Sequence, residues 1–582
     1  MKLDVKQKLA GILIPVFALR RDDDLGIGDT TAMAQAIEFC ARHQIGVLQI
    51  LPINETGGDN SPYSAISSVA LDPALLTVAP GAVPGLKEVD FRALAKEEAL
   101  AELRRGPVKY AAVKTLKNAL LRSAFFNFQK DELQKDGEQK ASFEKFRQEN
   151  GCWLEAYTLV RALVDKHGGN TCWTQWEREY SDYNSAKERA QSEENREHFQ
   201  QERTFWAYVQ WVAWQQWGDL RRTADELGVQ LMGDIPFGVG RYSADVWSAR
   251  ELFDLEWSCG APPEKYLPSD RFTEKWGQNW GMPYYKWSAH QKENFTWWRQ
   301  RISFLVKLFH YYRIDHVLGF FRVYAFPWIP ERNQEFLDLT EEEAKAKCGG
   351  QLPGFKPRPD EPEENAEKNC DEGEAILRVL MEASGDAGIV AEDLGVVPDY
   401  VRPLLKKLGI AGFTIPIFER DEQTREFTPQ EELPELSLAT YGTHDHQPIA
   451  RFYDDLVAWW HGADGDRGWQ EVQRLMRFLG RDPEHPPAAF NDDLHQSFLE
   501  ALLHSPCWLT LLMITDLLGT KQRFNEPGSA GEANWSQRLQ YPIDHYDYET
   551  KFADKIQNFS ALIKETGRLP AGRLEKFISV SS

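Results

Sequence analysis

Short apolar runs alternate with longer stretches of helical periodicity along most of the chain. Eight runs stand out, at residues 11–17, 46–51, 229–234, 311–315, 388–392, 411–415, 437–443 and 509–516. Apolar runs separated by helical patterns imply parallel βα units. Eight is the number that closes a (β/α)8 barrel. Two crossovers are compact, with residues 30–43 and 398–408 each reading as one helix. Other gaps are far too long for a single helix. The largest, approximately 54–228, contains a charged helical stretch at 130–203 and reads as an inserted, mostly helical subdomain. Its charge runs suit solvated helix faces. Approximately 243–300 reads as a loop insertion beside the barrel mouth. Approximately 331–370 holds Pro353, Pro357, Pro359 and Pro362 among Glu and Lys, and reads as a surface insertion. The expected fold class is therefore α/β, with residues 1–582 forming one TIM barrel that carries large, mainly helical insertions.

Within 205–217, Trp211, Trp214 and Trp217 recur every three residues. A helix packed on the barrel explains this spacing. A sugar-binding platform is the alternative.

Composition changes this picture mainly by exclusion. At 582 residues the chain is long for one core, and an inserted barrel keeps it a single catalytic unit. The net charge of −22 disfavours nucleic acid and anionic membrane, which both need basic patches. A neutral substrate is compatible with that charge. The seven cysteines are scattered, odd in number and without a CxxC pair. They read as free thiols in a reducing compartment, so a cytoplasmic location is expected. Lys2, Lys6 and Lys8 precede the apolar run 9–19, which superficially resembles a signal peptide. Pro15 and the polar Arg20-Arg21-Asp22-Asp23-Asp24 favour a first strand instead. No segment reaches the roughly 18 apolar residues of a membrane span.

Three motifs carry the candidate chemistry. They are Tyr312-Arg313-Ile314-Asp315-His316, Ala391-Glu392-Asp393-Leu394-Gly395 and Thr443-His444-Asp445-His446. Each sets a carboxylate at the end of an apolar run, where a barrel enzyme exposes its reactive groups. Alternation along a strand puts Arg313 and Asp315 on one face, so a fixed cation would orient the carboxylate. Asp393 then points away from Glu392 and reads as structural. His444 and His446 share a face, and a metal pair is the alternative there. No third ligand is suggested nearby, so no metal is expected. No GxGxxG or GxxxxGK pattern suggests a nucleotide, and no cofactor is expected.

In this order the motifs resemble those of amylase-type retaining enzymes. Further segments narrow the resemblance to the 4-α-glucanotransferases of glycoside hydrolase family 77. These are Asn60-Ser61-Pro62-Tyr63-Ser64, Gly233-Asp234-Ile235-Pro236-Phe237, Ser243-Ala244-Asp245-Val246-Trp247, Gly260-Ala261-Pro262-Pro263, Gly277-Gln278-Asn279-Trp280-Gly281 and Asn525-Glu526-Pro527-Gly528. The resemblance implies a nucleophile at Asp315, an acid/base at Glu392 and a third, sugar-holding carboxylate at Asp445. It implies substrate-binding roles for Arg313, His444, Asp234, Tyr63, Ser61, Trp280 and Asn525. Expected partners are malto-oligosaccharides and α-1,4-glucans, the oligomeric state being open. The expected reaction transfers a glucan segment to an acceptor 4-hydroxyl by double displacement. A hydrolase with the same carboxylates and a non-catalytic glucan-binding protein are the rival readings. The sequence departs from the family at Glu264, where Asp is common, and in an apparent extension over Lys265–Lys275.

Overall fold

The computed structural model describes residues 3–263, 270–527 and 534–570. Within these residues twelve strands run in chain order: β1 (Leu9–Leu13), β2 (Val47–Gln49), β3 (Gln230–Ile235), β4 (Phe253–Ala261), β5 (Gln278–Tyr285), β6 (Tyr311–Ile314), β7 (Val323–Phe326), β8 (Gly354–Lys356), β9 (Gly388–Ala391), β10 (Gly412–Thr414), β11 (Ser437–Ala439) and β12 (Leu509–Met513). Eight form one parallel sheet in the order β10-β11-β12-β1-β2-β3-β6-β9. Each therefore lies beside its predecessor and successor among the barrel strands. A parallel bridge between Val390 and Ala411 joins the two ends of the list and closes the ring. The backbone bond from Ala391 to the Ala411 carbonyl, at 2.8 Å, belongs to the same closure. The architecture is the (β/α)8 barrel that the eight apolar runs predict.

Each predicted run overlaps a barrel strand, but several overshoot it. The run 437–443 leaves the sheet after Ala439, and 509–516 turns into a short helix at Ile514. These overshoots fall at the carboxyl ends, where the chain departs from ladder geometry to build loops. The compact crossovers contain helices at Thr30–Arg42 and Val401–Leu408. The first is capped by Asp29, which accepts from the Ala32 amide at 3.0 Å. Between β10 and β11 the described residues hold only a 3-10 turn, Gln430–Glu432.

Residues between β2 and β3 fold mainly as helices, including Tyr110–Asp131, Glu138–Glu149 and Gly151–Lys166. They end in one long helix, Arg196–Leu227. Gly228 closes it in the left-handed conformation, φ 66°, and hands the chain directly to β3. On this helix Trp211 and Trp217 are fully buried. The Trp211 ring packs 5.3 Å from Phe128 and 5.7 Å from Phe143. These contacts give the tryptophan spacing to core packing.

The insertions at 243–300 and 331–370 are not separate units. With β7 between them they share a four-stranded antiparallel sheet in the order β5-β4-β7-β8. The sequence pattern does not announce this sheet. Its pattern is masked in sequence because β4 and β5 pair through register shifts near Ser258. A small core of Trp276, Phe326, Trp328, Phe336 and Ala344 lies against it. Glu264 and residues 265–269 of the expected extension lie outside the described residues. The remainder forms the helix Arg271–Trp276, capped by Asp270.

Near the end of the described chain, Arg568 braces the amino-terminal side of the barrel. Its guanidinium is fully buried and donates to the carbonyls of Leu503, Ser505, Cys507 and Leu9 at 2.6–3.1 Å. Replacing Arg568 with Met strands those acceptors. It is expected to lower the unfolding free energy by about 3 kcal/mol, seen as an earlier urea midpoint. An unchanged midpoint would contradict the bracing role.

Candidate active site

Parallel pairing sets Asp234 of β3 directly beside Arg313 of β6. Both are buried, with Arg313 only 3% exposed. The Arg313 Nη1 lies 2.9 Å from both carboxylate oxygens of Asp234. Its Nη2 lies 2.8 Å from Asp315 Oδ1 and 4.0 Å from Glu392 Oε2. One guanidinium therefore meets three carboxyl groups from three adjacent strand ends. A nitrogen this close to both Asp315 and Glu392 keeps those two oxygens within about 7 Å, compatible with the roughly 5–5.5 Å spacing of retaining carboxylate pairs.

Glu392 is held by backbone on both sides. Its amide donates to the Ile314 carbonyl at 2.9 Å, continuing the ladder past β9. Its Oε2 accepts from the His316 amide at 2.7 Å. Asp393 turns the other way, accepting from the Phe413 amide at 2.7 Å and from Arg402 Nε at 3.0 Å. Gly412 is required by this contact, since a Cβ there would stand 2.9 Å from Asp393 Oδ1.

Asp445 lies beyond β11. Its Oδ2 is 3.3 Å from His444 Nε2, and its Oδ1 accepts from the Asn525 amide. Arg523 donates to the Asp445 carbonyl at 2.9 Å. Tyr63 reaches the same cluster from the loop after β2. Its hydroxyl donates to Asp234 Oδ2 at 2.6 Å, and its ring stacks on His444 with centroids 5.1 Å apart.

Not every expected site residue joins this cluster directly. The Ser61 hydroxyl instead accepts from the Tyr63 amide at 3.3 Å and shapes that turn. Trp280 stands on β5 rather than in a loop, with its ring edge-on to His316 at 4.9 Å. The Asn525 amide, expected to face sugar hydroxyls, is engaged by Asp445. His446, given no role from sequence, holds Thr443 through Nδ1. No group of three metal-ligating side chains occurs among the described residues. Sequence reasoning missed Trp535, whose ring lies 5.6 Å from His444 and 6.0 Å from Tyr63. No local motif marks it.

Burial is the largest influence on the Glu392 carboxyl and pushes it up to about 8. Arg313 opposes that rise, while the Asp315 charge adds to it. Burial also works against the charge of Asp445, but His444, Arg313 and the Asn525 bond together hold it below the usual carboxylate range. Burial lifts Asp234 despite its bond to Arg313. The site thus sets one carboxyl that keeps its proton to high pH beside another that is ion-paired at 2.8 Å. Such a separation suits acid/base work next to an anion.

A parallel barrel with buried carboxyl groups gathered at the carboxyl ends of its strands is the arrangement of a glycoside-processing enzyme. A family model described as 4-alpha-glucanotransferase, glycoside hydrolase family 77, matches residues 14–544. The 4-alpha-glucanotransferase of Chlamydia caviae is 32% identical over 558 residues, covering 94% of each chain. That of Aquifex aeolicus is 28% identical over 560 residues, covering 94% of this chain and 98% of the relative. Among solved structures, amylomaltase from Streptococcus agalactiae in complex with acarbose aligns with TM-score 0.72 and 23% identity, covering 96% of this chain and 99% of that one. Amylomaltase from Corynebacterium glutamicum aligns with TM-score 0.75 and 19% identity, covering 96% and 75%. The chain belongs to the 4-alpha-glucanotransferase family and is a glucan-transferring enzyme.

The raised Glu392 value carries a sign for stability. A carboxyl that ionises less readily when folded than when unfolded costs stability on ionisation. The cost is absent below its ordinary value of 4.5 and grows as pH rises toward about 8. Glu392→Gln removes this titration. Its melting temperature is therefore expected to gain on the parent's progressively across that window. A difference independent of pH would refute the raised value.

Proposed function

We propose that Asp315 is the nucleophile and Glu392 the general acid/base of a retaining double displacement. The reaction moves a segment of an α-1,4-glucan to the 4-hydroxyl of an acceptor glucan or glucose. The observation that carries this reading is the single Arg313 nitrogen lying 2.8 Å from Asp315 and 4.0 Å from Glu392. That guanidinium holds and aims the Asp315 carboxylate, while Glu392 retains the proton that a leaving oxygen needs.

In the first step the Asp315 carboxylate attacks the anomeric carbon. The glycosidic bond breaks, and its electron pair leaves with the oxygen as Glu392 donates a proton to it. The glycosyl-enzyme on Asp315 and an ionised Glu392 result. In the second step Glu392 takes the proton of the acceptor 4-hydroxyl. The acceptor oxygen attacks the anomeric carbon and releases Asp315. Two inversions leave the α configuration intact.

We assign the sugar ring bound at Asp315 to a cradle of Asp445, His444, Tyr63 and Asp234. His444 and Asp445 would take ring hydroxyls, and the Tyr63 face would stack on the ring. Arg313 serves by orienting carboxylates. Asn525 acts here through Asp445, and Ser61 through Tyr63. Trp280, standing off the carboxylates on the second sheet, fits the acceptor side. No step in this scheme needs a metal or nucleotide, because the donor bond itself supplies the energy. The described residues contain no helix long and apolar enough to cross a membrane. All seven cysteines are free thiols. On that ground we place the enzyme in a reducing compartment, the cytoplasm.

Asp315→Asn is expected to abolish turnover of maltotriose while leaving glucan binding nearly unchanged, because an amide keeps the shape but not the anion. Glu392→Gln is expected to lose roughly 10²–10⁴ in rate. Near-normal turnover in either variant would remove its assigned role.

Transfer over hydrolysis requires a positioned acceptor and excluded water. Incubation with pure maltotriose is expected to give a ladder of shorter and longer glucans with constant total reducing ends. A steady rise in reducing ends without longer products would identify a hydrolase.

A further inference from the structure

His316 directly follows Asp315 and occupies the left-handed region, with φ 46° and ψ 55°. That conformation is strained for a non-glycine residue, with Asn and Asp the most tolerant side chains. Such strain persists where surrounding structure enforces it, and it concentrates at working sites. Here the kink brings two successive amides onto one residue. The His316 N–H donates to Glu392 Oε2 at 2.7 Å, and the Val317 N–H donates to the Glu392 carbonyl at 3.1 Å. An extended continuation of β6 would carry successive amides to opposite sides. The imidazole is held separately, edge-on to Trp280 at 4.9 Å and to Phe237 at 6.1 Å. Its one-turn continuation is fixed by the Gly319 amide, which donates to the His316 carbonyl at 2.9 Å.

Arg313 and Asp315 approach Glu392 from β6, Asp393 adjoins it on its own segment, and the His316 amide contacts its oxygen. Of these only the amide is aimed by a strained backbone. We propose that His316 is a positioning residue whose left-handed backbone orients and tunes Glu392 through the paired amides of residues 316 and 317. The proposal rests on the reading of Glu392 as acid/base.

A pair of substitutions separates backbone from ring. His316→Asn and His316→Val both delete the imidazole and its contact with Trp280. Asn tolerates the left-handed conformation, whereas a β-branched Val strongly resists it. Loss of the ring is common to both variants and cancels in the comparison, which leaves tolerance of the left-handed backbone as the intended difference. The readout is kcat and the pH profile of kcat/KM for maltotriose transfer. The alkaline limb reports the acid that must be protonated in free enzyme. An amide bonded to the carboxylate favours the ionised form, so losing it raises the value. Relative to His316→Asn, His316→Val is expected to shift the alkaline limb upward and lower kcat roughly 10-fold or more. If Val does not yield folded protein, His316→Ala, which resists the left-handed region less severely, provides the same comparison with Asn. Matching limbs and rates in the compared variants would overturn the proposal. Glu392→Gln distinguishes the two levels of failure. Near-normal turnover in that variant removes the acid/base reading and the proposal together. An inactive Glu392→Gln with matching His316 variants removes the proposal alone.

Discussion

The cleft depends on one buried cation. Arg313 is almost wholly removed from water, and an uncompensated charge there would be prohibitive. Asp234 and Asp315 supply the compensation, at 2.9 and 2.8 Å, from both sides of the guanidinium. Glu392 is left at 4.0 Å, close enough to feel Asp315 and too far to share the bond fully. Asp315 is thus ion-paired to Arg313 at 2.8 Å, whereas Glu392 stands off it. Burial dominates the rise at Glu392, and the Asp315 charge reinforces it. Swapping Arg for Lys would keep the charge but lose the planar fork that reaches Asp234 with one nitrogen and Asp315 with the other.

That geometry was partly legible in sequence. Arg313 and Asp315 are two residues apart, so strand alternation alone set them on one face. The barrel followed from eight apolar runs, because strands buried on both faces cannot hide their composition. The carboxyl ends were less readable, since residues such as Thr440–Thr443 remain moderately apolar after leaving the sheet. The antiparallel sheet was not legible. Its strands pair across segments separated by β6, and register shifts blur their period of two. His316 and Trp535 escaped for another reason. Trp535 meets His444 and Tyr63 only through the tertiary fold, and the left-handed backbone of His316, φ 46°, is announced by no residue type.

The second sheet explains how distant insertions come to serve one cleft. β4 and β5 leave the barrel between β3 and β6, whereas β7 and β8 leave it after β6. Pairing β4 with β7 ties both excursions together above the strand ends that carry Asp234 and Asp315. Trp280 lies on β5 within the register shift, between Asn279, paired with Gly260, and Pro283, paired with Ser258. Its Nε1 is further fixed by Gln278 Oε1 at 3.1 Å. A side chain held by that bond and by its contact with the His316 ring presents a defined surface, unlike one on a free loop tip.

This bracing bears on why an enzyme of this design transfers rather than hydrolyses. A glycosyl group held on a carboxylate is open to water, which is far more concentrated than any sugar. Discrimination must then come from geometry, because an oriented hydroxyl gains what a diffusing water does not. If Trp280 forms the acceptor side, as proposed, a held wall there makes that orientation inexpensive in entropy, since the wall loses little freedom when the sugar arrives. On the proposed assignment, His316 stands at the junction, with its ring against Trp280 and its amide on Glu392. The residue that shapes the acid/base is then also the one the acceptor wall touches. A misplaced acceptor wall would disturb the base that must deprotonate the acceptor, so binding and proton transfer share one mechanical support.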